Sequence, residues 1–209
     1  MIKRSNYRGY YSGDAGTLAQ ALLSDAPVVE QLIAAERCLT VTLYRHEGML
    51  FLYMEAMEET LTPDVLFPHL SVLLSLWPGK ADADPAKLSK SRSWVEMAPI
   101  YYHDEPKTKE QWARCGEKKR RGRIAILKDE KLFSYVYYHK ALVDEGLLDG
   151  DRYQFIALHE NILFSYFEEP KIFTHIKKEC KEESSVIKEW LAVDPESHFD
   201  HDLSREENF

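Results

Sequence analysis

"HEGMLFLYME" (residues 46–55) and "HENILFSYFE" (residues 159–168) are two copies of one pattern in a chain of 209 residues. They share six of ten residues in the same order and lie 113 residues apart. Each copy follows a segment rich in strand-forming residues, 38–44 or 152–158, and Glu-Gly or Glu-Asn supplies a tight turn. The repeat therefore predicts two β-hairpins and an internal duplication of the chain.

The segments around the two hairpins come in the same order. Besides the hairpins, we predict strands at 7–12, 92–104, 123–127 and 196–203, and helices at 15–37, 63–77, 129–146 and 170–192. Each half then has the order β-α-β-β-α-β, which is the split βαβ or ferredoxin-like unit. The predicted fold is α+β, with two tandem ferredoxin-like repeats that form an intramolecular dimeric α/β barrel.

We place the first half at residues 1–106, a linker at 107–122 and the second half at 123–209. The dense basic cluster "EKKRRGR" (117–123) falls at this linker, and we interpret it as a solvated charge run. The formal net charge of the chain is −8. An acidic chain whose basic residues do not form a broad patch is not expected to bind nucleic acid.

Composition indicates a globular protein, because hydrophobic residues make up 44% of the chain and charged residues 30%. The three cysteines are widely spaced and form no CxxC pair, which argues against disulfides and structural zinc. The first residues contain no apolar core of a signal peptide, and no apolar run approaches the length of a membrane-spanning helix. We therefore expect a cytoplasmic location and no membrane partner.

The predicted helix at 129–146 carries "YVYYHKALVDEG" (135–146), with one histidine among three tyrosines. One helical stripe contains Leu132, Tyr135, Val136, His139 and Val143, so His139 is expected to face the sheet. Tyr135 lies one turn earlier on the same stripe, where side chains four residues apart meet. His139 is then either a structural histidine of the core or a general acid/base at a pocket, because imidazole titrates near neutral pH.

The stretch 123–169 resembles the L-rhamnose mutarotase family in its order of elements: a strand, a helix with Tyr-x-x-x-His, and a hairpin ending in Leu-Phe-x-Tyr-x-Glu. Members are small ferredoxin-like subunits that dimerise and interconvert the anomers of a free sugar without a cofactor. The resemblance implies that His139 is the catalytic proton donor and that Tyr135 contacts the sugar. It also implies a small-molecule sugar partner and allows a homodimer.

The chain departs from that family at several positions. Gln154 stands where the family has a second sugar-contacting tyrosine, while the adjacent Tyr153 is expected on the other side of the strand. Trp190 is the nearest counterpart of the family's paired tryptophans. In the first half, Asp25 and Ala21 stand in place of the histidine and tyrosine, so we expect one site per chain.

The predicted function is a cofactor-free sugar mutarotase that interconverts the anomers of a free aldose by general acid/base catalysis, with no metal. The predicted catalytic residue is His139, and the predicted substrate-binding residues are Tyr135, Gln154 and Trp190. Two alternatives stay open: a non-catalytic protein that binds a sugar or another small molecule on the same barrel, and a cofactor-free monooxygenase-like barrel. Polar groups converging on His139 favour catalysis, whereas an apolar pocket with an isolated histidine favours the oxygenase or a plain core.

Other signals are weaker. Trp77 and Trp94 are further candidates for an aromatic wall, although an indole is more often part of a core. The segment "HFDHD" (198–202) contains metal-capable side chains, but we interpret it as a solvated tail. His46 and His159 precede the two hairpin turns, and we expect both to serve the turns.

Overall fold

The computed structural model describes residues 2–57, 60–77, 92–177 and 184–200. Within these ranges the chain is α+β with antiparallel sheets, as predicted. It divides into two compact units, the first formed by Met1–Met97 with Pro106–Lys109 and the second by Ala98–Glu105 with Glu110–Phe209. No helix in the described ranges is both long enough and apolar enough to cross a membrane.

The first unit contains one four-stranded antiparallel sheet. Its elements are β1 (Lys3–Tyr10), α1 (Ala15–Ala34), β2 (Cys38–His46), β3 (Met49–Ala56), α2 (Pro63–Leu66), α3 (Pro68–Ser71) and β4 (Val95–Glu96). The strand order is β2-β3-β1-β4. Helix α1 begins at the N-cap Asp14, whose carboxylate accepts a hydrogen bond from the backbone N–H of Thr17 at 2.9 Å.

The second unit contains a four-stranded sheet and a two-stranded one. The elements that follow β4 along the chain are β5 (Ala98–Tyr102), α4 (Lys109–Trp112), β6 (Lys119–Ile126), α5 (Leu132–Asp144), β7 (Leu148–Asp149), β8 (Phe155–His159), β9 (Ile162–Glu169), β10 (His175–Ile176) and α6 (Ser185–Ala192). The larger sheet has the antiparallel order β5-β8-β9-β6, and β10 pairs with β7. Short 3-10 turns at Asp129–Lys131 and Pro195–His198 precede α5 and follow α6.

Both predicted hairpins are confirmed. Strand β2 pairs with β3, and β8 pairs with β9, each through a two-residue turn. The first turn residue has positive φ in both, 53° at Glu47 and 57° at Glu160. Such a backbone matches the right-handed twist of the flanking strands. The two central strands, β3 and β9, are almost entirely buried.

The interpretation of 117–123 as a solvated linker is wrong, because most of this cluster lies in β6. The strand pairs with β9 in a register that sets Lys119 opposite Glu169 and Arg120 opposite Glu168. Arg121 and Glu169 form an ion pair across the two strands, with Nε donating at 3.0 Å, and opposite charges across strands favour the pairing. The segment is therefore a strand of the sheet and not a linker.

Two of the predicted helices are shorter than expected. In 63–77, helix formation is interrupted between α2 and α3, because Pro68 lacks an N–H and restricts the residue before it, Phe67. In 170–192 only α6 is helical among the described residues, and 178–183 lie outside them. The oxygen of Ser184 caps α6 by accepting a hydrogen bond from Ile187 N–H at 3.3 Å.

The predicted fourth strands also differ from expectation. The segment 92–104 forms two strands, of which β4 pairs with β1 and β5 pairs with β8. In 196–203, Phe199 forms a single antiparallel bridge with Leu127, the residue after β6, and 201–203 lie outside the described residues. The backbone N–H of Asp200 donates a hydrogen bond to the carbonyl oxygen of Ile126 at 2.8 Å.

Candidate functional site

A cavity of about 550 Å³ lies inside the second unit, between one face of the larger sheet and helices α5 and α6. The predicted site residues Tyr135, His139, Gln154 and Trp190 all line it. The sheet contributes alternate residues of β9 to this wall, namely Ser165, Phe167 and Glu169. The side-chain period of a strand is two, so the intervening residues of β9 lie on the other face.

His139 has a defined neutral tautomer. Its Nδ1 lies 3.0 Å from the carbonyl oxygen of Tyr135, and because a carbonyl only accepts, Nδ1 carries the hydrogen. Burial lowers the pKa of His139 to about 4. No described residue hydrogen-bonds to Nε2. At neutral pH, His139 is therefore a neutral imidazole with its Nε2 lone pair available as a proton acceptor.

Tyr135 stacks on the imidazole of His139, with ring centroids 3.9 Å apart and an interplanar angle of 27°. The side chain is buried, and burial together with the negative charge of Glu196 raises the pKa of its phenol. The hydroxyl therefore stays protonated at neutral pH. Tyr135 can donate a hydrogen bond to a ligand but is a poor acid.

Trp190 completes an aromatic wall beside His139. Its ring meets the imidazole edge-to-face, with centroids 5.0 Å apart and an interplanar angle of 82°. It also contacts the ring of Tyr135 at 6.2 Å. Aromatic faces of this kind suit the apolar face of a pyranose or another flat ligand.

Gln154 supplies a neutral polar group to the same cavity. It is 7% exposed, and its Oε1 accepts a hydrogen bond from the hydroxyl of Thr174 at 2.9 Å. The adjacent Tyr153 does not line the cavity, as expected, although both residues lie in the turn before β8 and not in a strand. Its ring contacts Trp112 at 5.1 Å and lies under the guanidinium of Arg114 at 4.4 Å.

Several cavity residues are missed by the sequence analysis. Among them are the charged side chains Arg123, Glu169, Lys171 and Glu196 and the aromatic side chain Phe167. Arg121 and Arg123 are two residues apart, the spacing of side chains on one face of a strand. The interpretation of this segment as a linker hides that pattern. Burial and the charge of Arg123 lower the pKa of Lys171.

Asp25 and Ala21, the first-half counterparts of His139 and Tyr135, have structural roles. Asp25 is fully buried, and its carboxylate accepts hydrogen bonds from the backbone N–H groups of His69 and Leu70, both at 2.9 Å, at the start of α3. Its Oδ1 also lies 2.7 Å from Nδ1 of His69. Ala21 belongs to the core of the first unit.

The other tryptophan candidates also lie in the first unit. Trp94 is a core residue whose Nε1 donates to the hydroxyl of Ser71 at 2.8 Å. Trp77 lies beneath the guanidinium of Arg8 at 5.0 Å. Neither lines the cavity that contains His139.

The interpretation of 198–202 as a solvated tail is wrong for His198, which is fully buried. Its Nε2 lies 2.9 Å from the hydroxyl of Ser134, and its Nδ1 lies 3.1 Å from the carbonyl of Pro195. His201 and Asp202 lie outside the described residues. Within the described part of the chain, no group of three or more His, Cys, Asp or Glu side chains could hold a metal ion.

No family model, no curated protein and no solved structure matches this chain. The resemblance to the L-rhamnose mutarotase family therefore stays a prediction that rests on the residues quoted above.

Proposed function

We propose that this protein is a cofactor-free isomerase that interconverts the anomers of a free aldose, with His139 as the proton-transferring group. The observation that carries the proposal is the state of His139. Its Nδ1–H is committed to the Tyr135 carbonyl, no described residue bonds Nε2, and the ring borders a cavity large enough for a monosaccharide. A histidine held in one tautomer by its own backbone is poised to act through the other nitrogen.

The chemistry requires proton transfer at two oxygens of the sugar. Nε2 of His139 accepts the proton of the anomeric hydroxyl while the bond between the anomeric carbon and the ring oxygen breaks. The ring oxygen is protonated by a water molecule, and the open aldehyde turns its other face before the ring closes again. As the ring closes, the attacking sugar hydroxyl gives its proton to the hydroxide that this water left, and the imidazolium returns its proton to the anomeric oxygen, so the enzyme ends unchanged.

The other wall residues position the sugar in this proposal. The Tyr135 phenol, held protonated by its raised pKa, donates a hydrogen bond to a sugar oxygen. Trp190 covers an apolar face of the ring, and the pair of Gln154 and Thr174 offers further hydrogen bonds. This polar wall disfavours the oxygenase alternative, which expects an apolar pocket.

We also infer that the two units descend from a duplicated ferredoxin-like repeat. The strand order β2-β3-β1-β4 of the first unit is that of a split βαβ sheet, and β8-β9-β6 repeats its first three strands. Both central strands place a tyrosine two residues before a buried glutamate. The hydroxyl of Tyr53 donates to Glu55, and that of Tyr166 donates to Glu168. The barrel that such a pair of repeats can form stays a prediction.

Saturation-transfer NMR tests the proposed function. One anomer of each sugar is irradiated in a panel of D-glucose, D-galactose, L-rhamnose, D-ribose and D-glucuronate, and the signal of the other anomer is followed. The proposal expects enzyme-dependent transfer for at least one sugar. Binding of a sugar without any transfer would instead favour the non-catalytic binding protein.

A further inference from the structure

Two cationic side chains border the same part of the cavity. Arg123 comes from β6, and Lys171 comes two residues after the end of β9. Both approach the ring of Phe167, the guanidinium carbon at 5.6 Å and the ammonium nitrogen at 4.9 Å from its centroid. The two positive charges are therefore neighbours at one aromatic side chain.

Neither cation has a carboxylate partner among the described residues. No hydrogen bond or ion pair of the Arg123 or Lys171 side chain occurs there. Arg121 provides the contrast, since it lies two residues before Arg123 on the same strand and its Nε donates to Glu169 at 3.0 Å. Positively charged side chains at a protein surface are common, but two of them together in a cavity without a counter-ion are costly.

Glu196 also lines the cavity and lies near the Tyr135 phenol, whose pKa its charge raises. Three other carboxylates around the two cations are already engaged. Glu169 lines the cavity but pairs with Arg121, and Glu168 lies on the opposite face of the strand and pairs with Arg114 at 2.7 Å. The negative charge of Asp151 acts to raise the pKa of Lys171. Its carboxylate accepts hydrogen bonds from the backbone N–H groups of Tyr153 at 2.8 Å and Ile172 at 3.3 Å. The two cations thus have hydrogen-bonding capacity left for a ligand.

We infer that the ligand of this cavity carries an anionic group, a carboxylate or a phosphate, which Arg123 and Lys171 bind. A guanidinium and an ammonium together provide the fork and the point charge with which proteins hold such groups. The inference rests on the proposed function for the rest of the ligand: the substrate is then an aldose with an acidic substituent, such as a uronic acid or an aldose phosphate. The chain as a whole is acidic, so this attraction is local to the cavity.

Binding measurements test this inference without any reference to turnover. Isothermal titration calorimetry on the full chain compares D-glucose, D-glucuronate, D-glucose 6-phosphate and inorganic phosphate. At least one anionic sugar is expected to bind tenfold or more tightly than D-glucose. Preference for D-glucuronate identifies a carboxylate site, and preference for D-glucose 6-phosphate or inorganic phosphate identifies a phosphate site.

Variants locate the anion. Arg123→Gln and Lys171→Gln are each expected to weaken binding of the preferred anionic probe at least tenfold, while Lys171→Arg retains most of the affinity. The matched control is Arg120→Gln, which removes the same charge from an exposed position on the same strand outside the cavity, and it is expected to change the affinity less than twofold. Equal losses in Arg120→Gln and Arg123→Gln would show a nonspecific charge effect and overturn the inference.

The two proposals fail separately. D-Glucose that binds as tightly as every anionic probe, or the absence of binding by all of them, overturns the anion site whatever the exchange experiment gives. An anionic sugar that binds through Arg123 and Lys171 but shows no anomer exchange supports the anion site and contradicts the isomerase.

Discussion

Acidification from pH 7 to pH 4.5 tests the surroundings of His139. The imidazole of an unfolded chain has a pKa of about 6.5, whereas burial lowers the pKa of His139 to about 4 in the folded protein. The folded state therefore takes up this proton less readily than the unfolded state. Stability is lost as the pH falls below about 6.5, and the loss is complete only below about 4.

The separation of these two pKa values corresponds to about 3 kcal/mol in full, of which about 2 kcal/mol falls between pH 7 and pH 4.5. The suitable variant is His139→Asn, because an asparagine amide can still donate to the Tyr135 carbonyl but does not titrate. Carboxylates titrate in both proteins and cancel in the comparison. The wild type is expected to lose about 2 kcal/mol more free energy of unfolding than the variant over this pH range.

Urea unfolding at a series of pH values, followed by tryptophan fluorescence and circular dichroism, measures the difference. The control His103→Asn removes an exposed histidine of the same unit and should behave as the wild type. In parallel, the imidazole signal that disappears from the NMR spectrum of His139→Asn should titrate near pH 4. Parallel stability curves for wild type and His139→Asn, with that signal titrating above pH 6, would refute the buried neutral imidazole.

Two further variants test the roles of neighbouring residues. Tyr135→Phe keeps the ring that stacks on His139 and loses only the hydroxyl. Anomer exchange should therefore slow by about tenfold or less, below the usual contribution of a general acid/base. A loss as large as that of His139→Asn in the same NMR assay would instead make the phenol a proton-transferring group. Asp25→Ala leaves the N–H groups of His69 and Leu70 without their carboxylate acceptor, so urea unfolding should show a loss of about 1–3 kcal/mol, with exchange per folded molecule unchanged. An unaltered stability would argue against the role of Asp25 at α3.

Local patterns predicted the hairpins and the inward face of α5. A two-residue turn between alternating strands fixes β8 and β9 from nearby residues alone, and a stripe of spacing three and four fixes the direction of His139. The cavity that contains Tyr135, His139, Gln154 and Trp190 follows from those two elements and α6. This part of the site depends on patterns among residues that are close together in the sequence.

The remaining features depend on pairing between distant segments. Strand β6 forms by pairing along its whole length with β9, and nothing near 117–123 in the sequence indicates that partner. The same register turns Arg123 toward the cavity. His198 is buried where Phe199 and Asp200 pair with Leu127 and Ile126 at the end of β6, although the tail itself has a polar composition. Pairings between distant segments therefore determine which charged side chains line the cavity.

The rate of anomer exchange in wild type and His139→Asn tests the central claim most directly. Saturation-transfer NMR at pH 7 measures this rate for the sugar that the wild type binds most tightly, at equal concentrations of folded protein and with His103→Asn as the control. The account predicts that exchange in His139→Asn falls by about a hundredfold or more, the usual scale of a general acid/base contribution, while sugar binding persists and His103→Asn retains the wild-type rate. Wild-type exchange in His139→Asn, or no protein-dependent exchange in the wild type, would contradict it.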